Sequence, residues 1–208
     1  HTRCADVTGS SDVCSSDLFE ESKAELADYE NVEFIHGNAL KYPYESLPEF
    51  KVVANIPYYI TTPIIFRLLK VRKNLRSMTL TVQKEVAERI VAVPGGRDYG
   101  VLSLMVQYYA EPGLKFIISR RAFRPMPGVD SAVLHIKILR SPSVSVKDEE
   151  FFFKIVKTAF FQRRKMLSNS LKSLREDIKD RLIQAGIDPN RRPETLGIEE
   201  FARLSDIL

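Results

Sequence analysis

Only two cysteines occur in this chain, and it has no apolar run of the length that a membrane span requires. Cys4 and Cys14 lack the second pair that a four-cysteine metal site needs, so we assign them no role and expect no metal. No targeting signal is recognisable, which favours a cytoplasmic protein without a membrane partner. A Gly-x-Gly loop is also missing before residue 19.

Charge is unevenly distributed along the 208 residues. Residues 1–50 hold 11 acids and 3 bases, whereas residues 51–208 hold 28 bases and 16 acids, a net charge of +12. Such polarity suits a phosphate backbone, although basic surfaces also occur on proteins that bind no nucleic acid. The content of 44% apolar and 28% charged residues is typical of a globular chain with one domain and an appendage.

Short apolar runs alternate with helical patterns before residue 140, which predicts an α/β fold built on a parallel sheet. The pattern predicts strands at Val32–Ile35, Lys51–Ala54, Met78–Val82 and Lys115–Ile118, an edge-like strand at Ala132–Leu139, and helices at Glu20–Tyr29, Pro63–Leu69 and Tyr99–Tyr109.

The segment 141–145, Ser-Pro-Ser-Val-Ser, is typical of a linker, and the sequence after it is helical in character. We therefore expect an α/β domain over residues 19–140 and a small all-helical domain over residues 141–208. Residues 1–18 show no clear periodicity. We leave them unassigned and interpret them as a non-native leader.

The most informative motif is Asn55-Ile56-Pro57-Tyr58, which directly follows a predicted strand. Ligands bind outside the carboxyl ends of strands in open α/β sheets, so Asn55 and Tyr58 are expected to face that crevice. An adenine amine is a poor nucleophile because its lone pair is delocalised into the ring. The Asn55 side-chain oxygen and the Ile56 carbonyl, held by the rigid Pro57 turn, would accept both amine hydrogens in a pyramidal arrangement.

Tyr58 would offer an aromatic face to an extruded base. The alternative interpretation is a strand-ending turn, in which Asn and Pro are present for backbone reasons alone. The following residues favour a site, because Thr62 is expected to cap a helix whose first position is Pro63.

At these residues the chain resembles the ribosomal RNA adenine dimethyltransferase family. The resemblance covers residues 19–208 and includes the segments Phe123–Val133, Gln83–Arg89, Ala159–Lys165 and Gly186–Asp188, with Arg192-Pro193-Glu194. It implies a Rossmann-like methyltransferase sheet with a helical C-terminal domain. It also implies that Phe123 lies on the other side of the target base from Tyr58. We call this pair, Tyr58 and Phe123, the aromatic clamp.

The resemblance further implies the cofactor S-adenosylmethionine and the substrate. The substrate would be two neighbouring adenosines in a hairpin loop near the 3′ end of small-subunit ribosomal RNA, each methylated twice. The expected partner is that RNA in a pre-30S-type particle, the expected role is in ribosome biogenesis, and the expected state is a monomer.

Cofactor contacts carry over to three residues, Asn38, Ala39 and Asn55. The segment Gly37-Asn38-Ala39-Leu40 stands where the family usually has Gly-Asp-Ala. The Asn38 oxygen can still accept a hydrogen bond from the cofactor's adenine amine, without the added strength that a carboxylate gives.

The family's first strands and its glycine-rich loop are not recognisable, so we expect a truncated family member whose sheet is incomplete at the N-terminus. We expect such a chain to fold poorly, or to leave Val32–Ile35 unpaired with Val52–Ala54.

Residues 151–175 contain seven bases and no acid, which we interpret as a basic helix that contacts RNA rather than as a merely solvated face. Arginines near Phe123 would extend the same surface. The predicted RNA-binding residues are Arg120, Arg121, Arg124, Lys157, Arg163, Arg164, Lys165 and Lys172.

Two alternative functions stay open. One is the resistance-type methyltransferase of large-subunit ribosomal RNA, which shares the Asn-x-Pro-Tyr site. The segment Phe123–Val133 and the basic C-terminal segment favour the small-subunit enzyme. The other is a non-catalytic ribosome-assembly or nucleic-acid-binding factor, which the missing glycine loop makes plausible.

Overall fold

The computed structural model describes the backbone of residues 2–6 and 14–208, and the side chains from residue 19 onward. The side chains of Cys4 and Cys14, and those of the unassigned segment 1–18 as a whole, lie outside the described part. Among the described helices, none is both long and apolar enough to cross a membrane.

A small two-stranded sheet forms at the start of the chain. Strand β1 (Thr2–Asp6) pairs in parallel with β2 (Val32–His36), and helix α1 (Cys14–Glu25) connects them. The Phe19 ring of α1 packs edge-on against Phe34 of β2, at 6.2 Å between centroids. The prediction for this region was partly wrong. The helix starts before Glu20 and ends in turns at Leu26–Tyr29, and the short strand β1 shows no periodicity from which to predict it.

The main sheet has four strands in the order β3 (Phe50–Asn55), β4 (Leu75–Gln83), β6 (Ser131–Ile138) and β5 (Ala110–Ile118). Strands β3 and β4 are parallel, whereas β6 runs antiparallel to both β4 and β5. The sheet is therefore mixed, and the prediction of a parallel sheet holds only for its first pair. The expectation that Val32–Ile35 would not pair with Val52–Ala54 is confirmed, since β2 and β3 lie in different sheets.

The prediction that Ala132–Leu139 forms an edge-like strand was wrong, because β6 lies inside the sheet and β5 forms its edge. Ala132, Leu134 and Ile136 are fully buried, whereas the residues between them are less so. The alternation thus reflects a sheet that is covered more completely on one face than on the other. It carries no information on which strand lies at the edge.

Helices α2 (Thr61–Lys70) and α3 (Lys84–Val91) pack on the main sheet, and the apolar face of α2 enters the same core cluster as β4. The predicted Thr62 cap was wrong, because a 3-10 turn at Tyr58–Ile60 runs directly into the helix and makes Ile60 its N-cap. Pro63 still lies in the first helical turn, where the absence of an N–H costs no hydrogen bond.

Helix α4 (Val101–Tyr109) is shared by two hydrophobic cores. Leu102 and Val106 belong to the core of the main sheet, whereas Leu104 and Tyr108 belong to that of the C-terminal helices. The Tyr108 ring stacks on Phe152 at 5.1 Å between centroids. The apolar spacing predicted one buried face, and the structure buries two.

The C-terminal part contains α5 (Glu149–Phe161), α6 (Leu167–Ser170), α7 (Ile178–Gln184) and α8 (Ile198–Ile207). The prediction of one basic helix over residues 151–175 was wrong, because α5 ends at Phe161 and a turn follows at residues 162–166. After that turn, the Leu167 and Ser168 amides donate to the carbonyls of Arg191 and Pro189, at 2.8 and 3.1 Å. Contacts with residues distant in sequence thus redirect the chain.

We expect Leu104→Ala to destabilise the protein by about 2–5 kcal/mol, because it leaves a cavity in the core that joins α4 to the C-terminal helices. Ile183→Ala is the control, since Ile183 is 65% exposed and its loss should change the free energy of unfolding by less than about 0.5 kcal/mol. Urea denaturation measures both. Equal stability of the two variants would contradict the shared role of α4.

Candidate active site

Asn55 is the last residue of β3, at the carboxyl end of a strand that is parallel to β4. The Ile56 amide donates to the Thr81 carbonyl at 3.3 Å, and the Ile56 side chain is only 4% exposed. These two contacts fix the turn to the sheet. The Asn55 side chain is exposed, and within the described residues it makes no hydrogen bond. Its amide is therefore available to a ligand.

The turn continues through Pro57, whose φ of −54° and ψ of 131° are extended, into the 3-10 turn that carries Tyr58. The Ile60 amide donates to the Pro57 carbonyl at 3.1 Å. Within the described residues, the Ile56 carbonyl accepts no backbone hydrogen bond. A second acceptor thus lies one residue after Asn55.

Tyr58 is half-buried, and its hydroxyl shares a hydrogen bond of 2.7 Å with the hydroxyl of Ser131. Ser131 is the first residue of β6 and has 0% exposure. The ring is therefore attached at its far end to a buried strand. Sequence patterns did not single out this contact, because nothing in the sequence relates residue 58 to residue 131.

Phe123 follows a 3-10 turn at Arg120–Ala122 that Ser119 caps, and its side chain is half-buried. The Arg120 amide donates to the Asp130 carboxylate at 2.9 Å, and the Lys84 amide donates to the Asp130 carbonyl at 3.0 Å. The loop is thus attached at the ends of β4 and β6. In the described part of the chain, the rings of Tyr58 and Phe123 do not contact each other directly.

The segment that follows β2 forms a separate cavity of about 200 Å³. Asn38 accepts a hydrogen bond from the Leu40 amide at 2.9 Å through its side-chain oxygen, which closes a tight local turn. Ala39 is buried in the same core cluster as Ile56, so the cavity and the Asn55 turn share one core. The cavity is lined by Ile35, Gly37, Asn38, Ala39, Lys41 and Tyr42.

Arg67 of α2, which no sequence pattern singles out, holds this segment in place. Its guanidinium donates to the carbonyls of Leu40 and Tyr42, at 3.3 and 3.0 Å. It also donates two hydrogen bonds to the Glu45 carboxylate, at 2.6 and 2.8 Å. The bonds to Arg67 are the main reason that the pKa of Glu45 is lowered to about 2.

The predicted RNA-binding residues fall in two groups, and none of the eight forms an ion pair with another described residue. Seven are exposed and available to phosphates. Arg163 is partly buried and donates to the carbonyls of Gly96 and Arg97, so it also joins the C-terminal helices to the loop before α4. The exposed members are Arg120, Arg121 and Arg124 in the first group and Lys157, Arg164, Lys165 and Lys172 in the second.

Phe161 is an unexpected feature of the second group, because this large aromatic side chain is 88% exposed. It ends α5 and directly precedes the turn that carries Arg164 and Lys165. No cluster of three or more His, Cys, Asp or Glu side chains suited to a metal ion occurs in the described part of the chain.

A sheet covered by helices, with a polar Asn-x-Pro-Tyr turn at the carboxyl end of a parallel strand, is typical of a Rossmann-like α/β domain with a ligand site at that turn. A family model described as ribosomal RNA adenine dimethylase matches residues 14–208. The chain therefore belongs to the ribosomal RNA adenine dimethylase family, and by family it is an RNA adenine methyltransferase.

Relatives support the same assignment. A protein of Moorella thermoacetica named ribosomal RNA small subunit methyltransferase A is 46% identical over 207 residues, which cover 92% of this chain and 72% of the relative. A protein of the same name from Clostridium botulinum is 47% identical over 199 residues, with the same coverage.

Two solved structures share the fold. A dimethyladenosine transferase from Plasmodium falciparum has a TM-score of 0.77 at 24% identity, over 97% of this chain and 79% of that one. The 23S rRNA methyltransferase ErmE has a TM-score of 0.72 at 24% identity, over 99% of this chain and 81% of that one.

We expect Arg67→Met to raise the pKa of Glu45 from about 2 toward its ordinary value of 4.5. The paired carboxylate stabilises the segment above pH 4.5, and this contribution is lost as the pH falls through about 2. In the variant no such loss should occur between these pH values. Carboxyl carbon chemical shifts followed by NMR against pH measure the change. Arg76→Met is the control, since Arg76 pairs with Glu49 instead, and an unchanged pKa of Glu45 in Arg67→Met would refute the role of Arg67.

Proposed function

We propose that this chain transfers methyl groups from S-adenosylmethionine to the exocyclic amines of two adjacent adenosines in the 3′-terminal hairpin loop of small-subunit ribosomal RNA. The main supporting observation is the exposed Asn55 amide, which has no hydrogen-bond partner among the described residues and lies at the carboxyl end of a strand beside a half-buried Tyr58. The names of the relatives from Moorella and Clostridium support small-subunit RNA as the substrate.

The turn explains how an unreactive amine becomes a nucleophile. In adenine the amine is planar, because its lone pair is shared with the ring. The Asn55 oxygen and the Ile56 carbonyl each accept one N–H, which favours a pyramidal nitrogen whose lone pair points away from both acceptors. These contacts are stronger in the transition state than in the planar ground state, so they lower the barrier. The methylated nitrogen then releases its surplus proton to water.

The aromatic clamp selects an unpaired base. A base inside a helix is stacked and inaccessible, so the enzyme acts on a splayed adenosine in a loop. Tyr58 and Phe123 lie in turns that are both attached to the start of β6, and a base inserted between them would stack on both faces. Stacking contributes about 1–3 kcal/mol per base, which helps to offset the cost of extruding it.

The described residues fit the adenine part of S-adenosylmethionine. The Asn38 oxygen uses one lone pair for the Leu40 amide and has a second for an adenine amine. Ile35 and Ala39 supply apolar surface in the same cavity. When bound, the cofactor supplies an electrophilic methyl group. Asn38, Ala39 and Asn55 are the residues that we propose for its binding.

The two basic groups support a folded RNA as partner. Exposed arginines near Phe123 would hold the phosphates beside the target loop, while the second group would hold an adjacent helix. We propose that the protein acts in this way as a monomer in the cytoplasm, on a pre-30S-type particle during ribosome biogenesis.

We expect Asn55→Ala to lower the rate of methyl transfer by at least 100-fold while RNA affinity stays within about twofold, because only the transition state needs both acceptors. Transfer of a labelled methyl group to a small-subunit 3′-terminal hairpin measures the rate, with Asn190→Ala as a control on an exposed Asn outside the site. A large-subunit hairpin serves as the competing substrate. Preference for it would replace the proposed substrate, and no transfer to either RNA would favour a non-catalytic factor.

Arg164→Ala and Phe161→Ala should weaken RNA binding in different ways. Loss of Arg164 removes one phosphate contact, so the negative slope of log affinity against log salt should become shallower by about 1. Loss of Phe161 removes a stacking surface, so affinity should fall by about 1–3 kcal/mol with the slope unchanged. Phe161→Tyr keeps an aromatic face and is the matched control. Fluorescence anisotropy at several salt concentrations measures both quantities, and wild-type affinity in Phe161→Ala would show that this ring is not an RNA contact.

A further inference from the structure

The two residues of the aromatic clamp are far apart in sequence, yet both depend on two consecutive residues, Asp130 and Ser131. Ser131 bonds the Tyr58 hydroxyl at 2.7 Å, and the Asp130 carboxylate accepts the amide that begins the turn before Phe123. Within the described residues, neither side chain forms a hydrogen bond with Asn55 or Ile56, so neither is a candidate for the chemistry itself.

We propose that Asp130 and Ser131 are positioning residues that together set the spacing and tilt of Tyr58 and Phe123 around the target base. This inference rests on the proposed methylation of an extruded adenosine. It goes further by assigning the geometry of the base site to one point of the sheet.

Ser131 is suited to this task because it cannot move independently. It pairs with Gln83 of β4 on one side and with Ile118 of β5 on the other, and its side chain is fully buried. Tyr58 by contrast lies in a short 3-10 turn. The shared hydrogen bond therefore transmits the rigid position of β6 to the far end of the Tyr58 ring.

Asp130 performs the corresponding task for Phe123. Its carbonyl accepts the Lys84 amide at 3.0 Å, which attaches it to the start of α3, and its carboxylate accepts the Arg120 amide at 2.9 Å. The turn that begins at Arg120 ends at Phe123, whose amide donates to the Arg120 carbonyl at 3.3 Å. Two successive hydrogen bonds thus connect Asp130 to the backbone of Phe123.

The consequence is kinetic. A base that is bound but tilted still makes most of its contacts, whereas its amine no longer meets both acceptors of the Asn55 turn. Loss of a positioning bond should therefore lower kcat about tenfold, equivalent to about 1.4 kcal/mol, and leave KM for RNA nearly unchanged. This is the size expected for one hydrogen bond.

Ser131→Ala and Tyr58→Phe remove the same bond from its two ends, so their effects on kcat should not add in the double variant. An RNA hairpin with 2-aminopurine in place of the target adenosine reports stacking directly, because its fluorescence is quenched when the base stacks. We expect weaker quenching in both single variants at full RNA saturation. Ser170→Ala, which alters a buried serine in the C-terminal helices, should change neither quantity.

Asp130→Asn and Asp130→Ala separate a positioning role from a general loss of charge. Asn keeps an oxygen that can accept the Arg120 amide, so it should retain most of the quenching and of kcat. Ala removes the acceptor and should lose both. The proposal would be overturned if Asp130→Asn and Asp130→Ala had equal kcat and quenching. It would also be overturned if the losses in kcat from Ser131→Ala and Tyr58→Phe added up in the double variant.

The free protein provides a test that does not depend on the substrate. With 13C-labelled tyrosine, Ser131→Ala should shift or broaden the Tyr58 ring signals and leave those of other tyrosines in place. An unchanged Tyr58 signal would overturn the inference even if the protein methylates RNA. A shifted signal without any methylation would uphold the positioning contact and refute the proposed function instead.

Discussion

The burial of β4 between β3 and β6 is the constraint on which the candidate site depends. Met78, Leu80 and Val82 have no exposed surface, so this strand lies in the centre of the core. On either side of it, the carboxyl end of its parallel partner β3 and the first residue of its antiparallel partner β6 lie at the same end of the sheet. The Asn55 turn, Tyr58 and the loop that carries Phe123 are all located at this end of the sheet. The two acceptors and two aromatic rings of the proposed mechanism are thus brought to one end of the sheet by strand pairing.

A second constraint is the shared helix α4. One of its faces belongs to the core of the sheet and another to the core of the C-terminal helices, and Arg163 adds hydrogen bonds to the loop before it. The basic turn near Phe161 therefore has a definite position relative to the candidate active site. An RNA bound to this surface would present its loop to the candidate active site in one orientation. Because a fixed orientation of the reacting base raises the rate, RNA contacts far from that base would contribute to methyl transfer.

Much of the candidate site could be proposed from the sequence, because its central motif is contiguous. Asn55, Pro57 and Tyr58 stand next to one another after an apolar run, and the position of such a run in an α/β fold implies a crevice at its end. The roles of Arg67 and Ser131 were not predictable in the same way. Each acts on residues more than 20 positions away, and a hydrogen bond between such positions leaves no periodic pattern in the sequence.

The sequence by itself determined most of the strands and helices of the α/β part, the position of the Asn-x-Pro-Tyr turn and the excess of basic residues, since local patterns of apolar, polar and turn-forming residues suffice for these features. Only the tertiary structure decided that β6 is internal, that residues 151–175 are broken by a turn, and that Asp130 and Ser131 connect the two sides of the base site. The physical reason is that strand order, helix ends of this kind and long-range hydrogen bonds depend on which segments pack together. Which segments pack together depends on the whole core, and no single stretch of residues encodes it.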